Sequence, residues 1–484
     1  MDKKLKTLFN NIEAGLPDEA ADLIIREIQY DSRKIQSGDL FVAVRGFKTD
    51  GHHYLRDVQA KDAAAAVVEE KDEQLKIPQI VVKNCRETLP LLAYNYYELD
   101  SLNLKIIGIT GTNGKTTASY LLRSIMEAAQ LPAGVVGTIA YTYGATQKSA
   151  PNTTPESLDL YRMLSEMEKN GLKSCVMEVS SHALSLNRVD GLKFDAALFT
   201  NLGRDHMDFY DSVEDYFSAK AKLFYQVKKD GAAVINYDDP YGQRLMEMIE
   251  GRVVTYGLNK EAQVTVLEKS MDIRGTKLLV RTSENSFEVR SKLIGEFNIY
   301  NILSAIAAAY AMDIPKEAII SGIGALEMVP GRMQSFEIKP GVLAIIDYAH
   351  APEALKNALM TVREITEKRL IVVFGAGGDR DRGKRPLMGQ IAEELADVVI
   401  VTSDNPRTED PQAIINDVLS GMKLPEKRKV MADRRQAIAE AVKMAQQGDV
   451  VLVAGKGHES YQEINGVRRD FNEEKIIRES LNYV

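Results

Sequence analysis

The chain has 484 residues, with 61 lysines and arginines against 69 aspartates and glutamates and a formal net charge of −8. At roughly one domain per 150 residues the length suggests about three domains. The acidic balance excludes a general binder of nucleic acid or anionic membrane, since phosphate affinity requires accumulated positive charge. A hydrophobic share of 45% and a charged share of 27% exclude a disordered or fibrous chain.

Two cysteines, Cys85 and Cys175, are too few for a disulfide framework or a thiolate metal site and fit a reducing compartment. The opening MDKKLKTLFNNIEAGLP has no apolar run long enough for a signal peptide. The richest apolar stretch, NILSAIAAAYAM, is broken by Ser304 and Tyr310 and is too short to span a bilayer. The expectation is a soluble, cytoplasmic, multidomain monomer without membrane insertion.

Short apolar runs alternate with helical patterns, the signature of α/β units with parallel sheets. In the first hundred residues DLFVAVRG, AAAAVVEE and IPQIVVKN read as strands, and about 91–99 reads as a helix with Pro90 in its first turn. A new unit opens near Ser101: KIIGIT is a buried strand, GTNGK a turn, and Ala118, Leu121, Leu122, Ile125 and Met126 share a helix face. KSCVMEV, DAALFTNL and AAVINY are further strands. Between about 262 and 294 the alternation becomes that of antiparallel hairpins, and an Ala-rich helix begins near Asn298. EMVPGRMQSF reads as a linker. Beyond it VLAIIDYA, RLIVVFGAGG, DVVIVTSDNP and DVVLVAGKGHE are four strands, each ending in a polar or glycine-rich loop. Such loops gather on one edge of a parallel sheet and form its ligand crevice. The expected domains are 1–99, 100–330 and 331–484.

The segment 108–117, GITGTNGKTT, lies between a strand and a helix. Glycines let backbone N–H groups turn around phosphate oxygens, and the helix N-terminus adds partial positive charge. Lys115 would reach the β and γ phosphates and the Thr116 hydroxyl would ligate Mg²⁺. The strict pattern fails at Ile109, where glycine is expected. The competing reading is an ordinary glycine turn; the context favours ATP or GTP binding.

The histidines, His52, His53, His182, His206, His350 and His458, lie in loops or at strand ends. Glu178 ends the strand of VMEVSSH, where a buried carboxylate needs a partner such as a cation, or else forms a buried salt bridge. His206, in FTNLGRDHMD, follows another strand. With Thr116 and the phosphates these could complete Mg²⁺ sites, although imidazole is not a usual Mg²⁺ ligand.

The set YDSRKIQSGDLFVAVRG, GITGTNGKTT, NTTPES, MEVSSHAL, FTNLGRDHMD, YFSAKAKLF, GEFNIYNILSA, VPGRM, DYAHAPEAL, GGDRDRGKRP, SDNPRTEDP and AGKGHE runs in order from about 30 to 459 and resembles the Mur ligases, ATP-dependent amino-acid ligases of peptidoglycan precursor synthesis. Within that family it resembles the branch that adds meso-2,6-diaminopimelate as the third residue. The resemblance implies an N-terminal α/β UDP-binding domain, a central P-loop parallel sheet with a small antiparallel extension, and a C-terminal Rossmann-like domain closing over the P-loop. It implies ATP contacts from Gly111, Thr112, Asn113, Gly114, Lys115, Thr116, Thr117, Asn298, Asn301, Arg332 and Asp347, with His350 near the last two. Ser32 would contact the UDP moiety, with the GHH segment nearby. Asn152, Thr153, Thr154, Ser180 and Arg188 would hold the substrate near its dipeptide. Lys220, rather than Lys222, would be the family's carbamylated lysine and, with Thr116, Glu178 and His206, complete the metal set; Lys115, Lys220, His206 and Glu178 form the expected catalytic group.

Meso-diaminopimelate differs from L-lysine by a second, distal carboxylate. A guanidinium binds a carboxylate through two parallel hydrogen bonds and repels an ammonium, so Arg407, in the 404–407 loop DNPR, is the expected selector. Asp404, Asn405 and Pro406 belong to the same loop, which proline stiffens; the alternative is a type I turn with the arginine exposed. Arg380 would bind the near carboxylate, and Gly455 and Glu459 the distal amino group. The implied reaction phosphorylates the D-Glu γ-carboxyl of UDP-MurNAc-L-Ala-D-Glu with ATP, and the amine then displaces phosphate. The open alternatives are a lysine-adding or folylpolyglutamate-type ligase and, from another class, a nucleotide-dependent switch.

Overall fold

In the computed structural model, residues 2–46, 49–272 and 274–481 are described. The hairpin expectation at 262–294 includes Ile273, which lies outside them, as do Met1 and residues 482–484 at the outer domain limits. The chain forms two compact units. One comprises 1–265 with 303–322, and the other 266–302 with 323–484.

Besides the two-stranded antiparallel pair Lys3–Lys4 and Ile24–Ile25, the first unit holds two larger sheets. The smaller is parallel, in the order Ile28–Gln29, Leu40–Val42, Ala65–Val68 and Gln79–Val81. The following helix is Cys85–Tyr97, not 91–99. It starts earlier because Asn84 caps it, its side chain accepting from Arg86 and Glu87 N–H. Pro90 therefore sits in the second turn, six residues into the helix, and is buried there.

The larger sheet runs Thr146–Ser149, Ala140–Tyr143, Ala133–Val136, Ser174–Glu178, Lys105–Thr110, Phe194–Phe199, Val227–Asn236, Arg252–Gly257. From Ala133–Val136 onward neighbours are parallel, and the first two strands form an antiparallel edge. Lys105–Thr110 is flanked by two later strands, so crossovers leave it on both sides. Its carboxyl end is a topological switch point, where α/β sheets open a crevice. The helix Lys115–Ala128 follows directly, and its apolar face, Ala118, Leu121, Leu122, Ile125 and Met126, is fully buried. The strand Val264–Asp272 begins in parallel pairing with Arg252–Gly257.

In the second unit, Gly275–Arg281 and Ser286–Ser291 form an antiparallel hairpin. The main sheet runs Gln334–Lys339, Val342–Asp347, Val450–Ala454, Leu370–Phe374, Val398–Val401, Arg428–Val430, parallel except for its first strand. Both faces are buried. Leu343, Ile345, Val372, Phe374, Val401 and Leu452 pack on the helices Pro352–Glu364, Lys384–Leu395 and Pro411–Leu419. The alternate residues Val342, Ala344, Ile346, Val373, Ile400 and Val453 pack on Arg434–Met444 and Glu473–Ser480. Side chains alternate along each strand, so continuous apolar runs fill both layers. The edge strands Gln334–Lys339 and Arg428–Val430 and the terminal hairpin Tyr461–Ile464/Val467–Asp470 were not anticipated. Cys85 and Cys175 are fully buried, and burial pushes both thiols up to about 12.

Among the described residues no helix is long and apolar enough to cross a membrane. Arg434 and Glu473 are buried together; the guanidinium donates to Glu473 Oε1 from Nε at 2.8 Å and lies 2.7 Å from it at Nη2. Burial raises the Glu473 carboxyl, and Arg434 opposes that rise. Removing one partner leaves a charge in low dielectric. Glu473→Ala is therefore expected to destabilise the full chain by about 3–5 kcal/mol in urea unfolding, and the double variant Arg434→Met/Glu473→Leu to recover most of that loss.

Candidate active site

The loop after Lys105–Thr110 turns on Gly111, at φ +142, where a Cβ would lie 1.9 Å from Thr200 Oγ1. Asn201 holds the loop from the neighbouring strand end: its carbonyl accepts from Thr112 N–H at 2.8 Å and its Oδ1 from Asn113 N–H at 3.0 Å. Thr200 Oγ1 donates to Asn113 O at 2.6 Å. Gly114, also at positive φ, precedes the helix, whose first-turn N–H groups lack intrahelical acceptors. Thr116 and Thr117 are buried in that turn.

Two amines converge on the loop. Lys115 Nζ donates to Gly111 O at 2.8 Å and Thr112 O at 2.9 Å, and Lys220 Nζ to Gly111 O at 2.9 Å. Lys220 is buried, 4.4 Å from the centre of the Tyr216 ring, whereas Lys222 is exposed. Burial, then repulsion from Lys115, holds the Lys220 ammonium well below its ordinary pKa. His206 adopts a left-handed backbone at φ +57; its ring lies 4.8 Å from His182 and 6.0 Å from Tyr216, and burial lowers its pKa. Concentrated positive charge beside free helix amides suits a polyphosphate.

Glu178 is buried without a salt bridge. It accepts from Thr138 N–H at 2.9 Å, Thr138 Oγ1 at 3.0 Å and Thr116 Oγ1 at 3.0 Å. Three neutral donors, two of them from Thr138, whose role sequence reasoning missed, surround it, and among the described residues it forms none of the salt bridges offered as the alternative. Among the described residues no cluster of three His, Cys, Asp or Glu side chains is arranged to hold a metal. The paired hydroxyl and carboxylate of Thr116 and Glu178 nevertheless form an oxygen set of the kind Mg²⁺ takes. Lys220 fits such a set only as a carbamate, and its depressed pKa favours the neutral amine that can add CO₂.

The remaining first-unit residues lie along the same strand ends. Thr153 Oγ1 is 3.0 Å from Thr138 Oγ1. Thr154 Oγ1 donates to Glu178 O at 2.9 Å and accepts from Ser180 N–H at 3.1 Å, and Ser180 caps the helix Ser181–Ser185. Arg188 donates to Thr154 O at 2.9 Å and pairs with Glu156 at 2.7 Å, while its buried Nε has no partner. Asn152 O accepts from the Tyr141 hydroxyl. In the smaller sheet, Ser32, Arg33, Tyr54, Asp57, Ala60 and Lys61 line a concavity of about 340 Å³. His52, in the adjoining turn, is a wedge: Nδ1 faces Asp50 at 2.6 Å and Nε2 accepts from Glu69 N–H at 2.9 Å.

In the second unit the carboxyl ends of the parallel strands bring together most of the other expected residues. Asp347 accepts from Met333 N–H at 2.8 Å and Ala349 N–H at 2.9 Å. Arg332 stacks over Tyr348 at 5.1 Å with Nε buried and unpartnered, and His350 lies 4.6 Å from the same ring. Asn298 and Asn301 are buried on one helix, joined by a bond of 2.9 Å.

The 404–407 loop is not an exposed turn. Arg407 is half-buried at φ +54, pinned through its backbone to Glu463 O at 3.1 Å and Asn465 N–H at 2.6 Å. Its Nη1 donates to Gly378 O at 2.7 Å, and no described carboxylate pairs with it. Pro406 is buried. Arg380, exposed, donates to Asp379 O. The loop bearing it is braced by fully buried Arg385, which binds Glu409 and Asp417, each at 2.8 Å. Asp404 is buried with Oδ2 unpartnered, facing Gly455, where a Cβ would come within 2.6 Å of that oxygen. Glu459 Oε2 accepts from Asn405 Nδ2 at 2.8 Å. Asp404 Oδ2, without a hydrogen-bond partner, and the Arg407 guanidinium, without a carboxylate partner among the described residues, suit a ligand that carries both charges.

Three family profiles match in chain order: the Mur ligase family catalytic domain at 24–97, the Mur ligase middle domain at 109–309, and the Mur ligase glutamate ligase domain at 331–457. The chain belongs to the Mur ligase family. It is 42% identical to the UDP-N-acetylmuramoyl-L-alanyl-D-glutamate–2,6-diaminopimelate ligase of Geobacter metallireducens, over 95% of each chain. It is 41% identical to the enzyme of that name from Clostridium perfringens, over 99% of each. A solved structure of a ligase of that name superposes with a TM-score of 0.75 at 33% identity, covering 100% of this chain and 99% of that one. The MurF ligase of Thermotoga maritima, solved with ADP, shares the Mur ligase fold at 20% identity, with a TM-score of 0.65 over 95% and 98% of the two chains.

Two outcomes follow for this Mur ligase. Gly111→Ala forces a Cβ onto Thr200 Oγ1 and a side chain into a glycine conformation, so Mg-ATP affinity measured by calorimetry is expected to fall by at least about tenfold. His458, with Nδ1 buried and unpartnered, is lowered by burial and then by Arg332 from 6.5 to about 4. Between those values the unfolded chain takes up a proton that the folded chain refuses. Its contribution is full above 6.5 and shrinks as pH falls towards 4, so wild-type stability should drop between pH 7 and pH 5 more than that of His458→Gln in urea unfolding.

Proposed function

We propose that this chain is an ATP-dependent ligase that joins the amine of meso-2,6-diaminopimelate to the γ-carboxyl of D-glutamate in UDP-MurNAc-L-Ala-D-Glu, in peptidoglycan precursor synthesis. The division of labour is 1–99 for the UDP moiety, 100–330 for ATP and the dipeptide end, and 331–484 for the amino acid. The observation that carries the choice of amino acid is Arg407, a half-buried guanidinium oriented by Gly378 O and without a carboxylate partner. The 40%-level identity to 2,6-diaminopimelate ligases over almost the full chain supports the same reading.

The chemistry follows from the residues. A carboxylate is a poor electrophile, so it is first phosphorylated by ATP. Gly111, Thr112, Asn113, Gly114 and Thr117 cradle the phosphates, and Lys115 leaves its loop carbonyls to meet the charge that gathers on the transferred phosphoryl group. Thr116, Glu178 and Lys220 as a carbamate, with His206, would hold Mg²⁺, which would supply further positive charge to the phosphoryl group. Ser32 contacts the UDP moiety. Asn152, Thr153, Thr154, Ser180 and Arg188 hold the acceptor end, hydroxyls and a guanidinium suiting an anionic peptide. Asn298, Asn301, Arg332 and Asp347 contact the nucleotide. Arg380 takes the near carboxylate of the amino acid, Arg407 the distal one, and Asp404, Gly455 and Glu459 the distal ammonium. The amine then attacks the acyl phosphate, a tetrahedral intermediate forms, and phosphate leaves.

Incubation with UDP-MurNAc-L-Ala-D-Glu, Mg-ATP and either meso-diaminopimelate or L-lysine, read by product mass, tests this directly. Tripeptide product is expected with diaminopimelate and little with lysine; equal use of lysine removes the role given to Arg407. Arg407→Ala should lower kcat/KM for diaminopimelate by about 30-fold or more while KM for ATP stays within about twofold.

A further inference from the structure

Lys456 has no part in the roles assigned so far, yet it is fully buried at the centre of the amino-acid loops. Its Nζ donates to Asn405 Oδ1 at 3.0 Å and lies 3.1 Å from Glu459 Oε2. Asn405 Oδ1 also accepts from Glu463 N–H at 2.9 Å, and Asn405 Nδ2 donates to Glu459 Oε2 at 2.8 Å. An ammonium only donates, so Lys456 fixes which way the Asn405 amide faces and which oxygen of Glu459 is taken.

Its second effect is on charge. These loops carry two acids, Asp404 and Glu459, and two bases, Arg407 and Lys456; Lys384 acts on Asp404 from the neighbouring helix, and Arg434 and Glu473 are paired at 2.7 Å. Without Lys456, Glu459 loses its ion-pair partner and the loops carry one more negative charge. A subsite of that sign favours a lone ammonium, the distal end of L-lysine. A balanced one favours an end carrying ammonium and carboxylate together. We propose that Lys456 is a specificity-determining positioning residue, which offsets Glu459 so that the distal subsite is electrically balanced for a zwitterion. This rests on reading these loops as the diaminopimelate subsite.

The test compares meso-diaminopimelate, L-lysine and L-2-aminopimelate, whose distal end is a carboxylate alone, in wild type and Lys456→Gln. In wild type both singly charged ends should lose at least about tenfold in kcat/KM against diaminopimelate. In Lys456→Gln the lysine-to-diaminopimelate ratio should rise about tenfold and the 2-aminopimelate ratio fall, with KM for ATP within about twofold. A uniform loss for all three acids assigns Lys456 a structural role only and overturns the proposal. If Lys456→Gln does not fold by circular dichroism, the wild-type series decides: 2-aminopimelate used as well as diaminopimelate overturns electrical balance. Product with none of the three from wild type refutes the amino-acid reading itself, a result distinct from either.

Discussion

The carbonyl of Gly111 carries an unusual load: two lysine amines donate to it at under 3 Å, one from its own loop and one from a helix a hundred residues away. Two amines can share this acceptor because burial and repulsion from Lys115 favour the neutral form of Lys220, which lies against the Tyr216 ring. The positive φ of Gly111, the grip of Asn201 and the packing of Thr200 all serve to aim that carbonyl. What results is a loop short of negative charge. Beside it, the Thr116 hydroxyl at the start of the following helix and Thr138 hold the Glu178 carboxylate through neutral donors.

The second unit meets the opposite difficulty. Its loops bring acids and bases together at the ends of strands buried on both faces, and there each charge is balanced rather than accumulated. Arg382 and Arg385 with Glu409 and Asp417, Arg434 with Glu473, and Lys456 with Glu459 are neutral groupings. Against that background the Arg407 guanidinium and Asp404 Oδ2 stand out as groups without such a partner among the described residues. One unit thus gathers amines on a loop, and the other sets opposite charges against one another.

Much of this was legible in the sequence. Alternating runs such as VLAIIDYA and RLIVVF announced strands buried on both faces, and GITGTNGKTT announced the phosphate loop, because both depend on local periodicity and turn chemistry. Start points were less legible: the helix at Cys85 was placed six residues late, and the structure shows that Asn84 caps it. Strands at the sheet margin, Gln334–Lys339 and Arg428–Val430, carry too little apolar pattern to be seen. The partners of buried charges were hidden altogether. The hydrogen-bond partners of Glu178 are Thr138 and Thr116, set 40 and 62 positions away, and only the fold brings them together. Arg385 and Lys456 lie in motifs rich in charge, and their full burial is visible only in the fold.

The burial of both cysteines has a practical side. Each thiol lies fully inside a core and is held protonated at neutral pH. Maleimide reagents therefore meet a silent background in the folded enzyme. A single cysteine introduced on the surface of each unit can carry a donor or acceptor dye without first removing the native pair. Distance changes between the two units during turnover then become measurable by fluorescence on an otherwise unaltered chain.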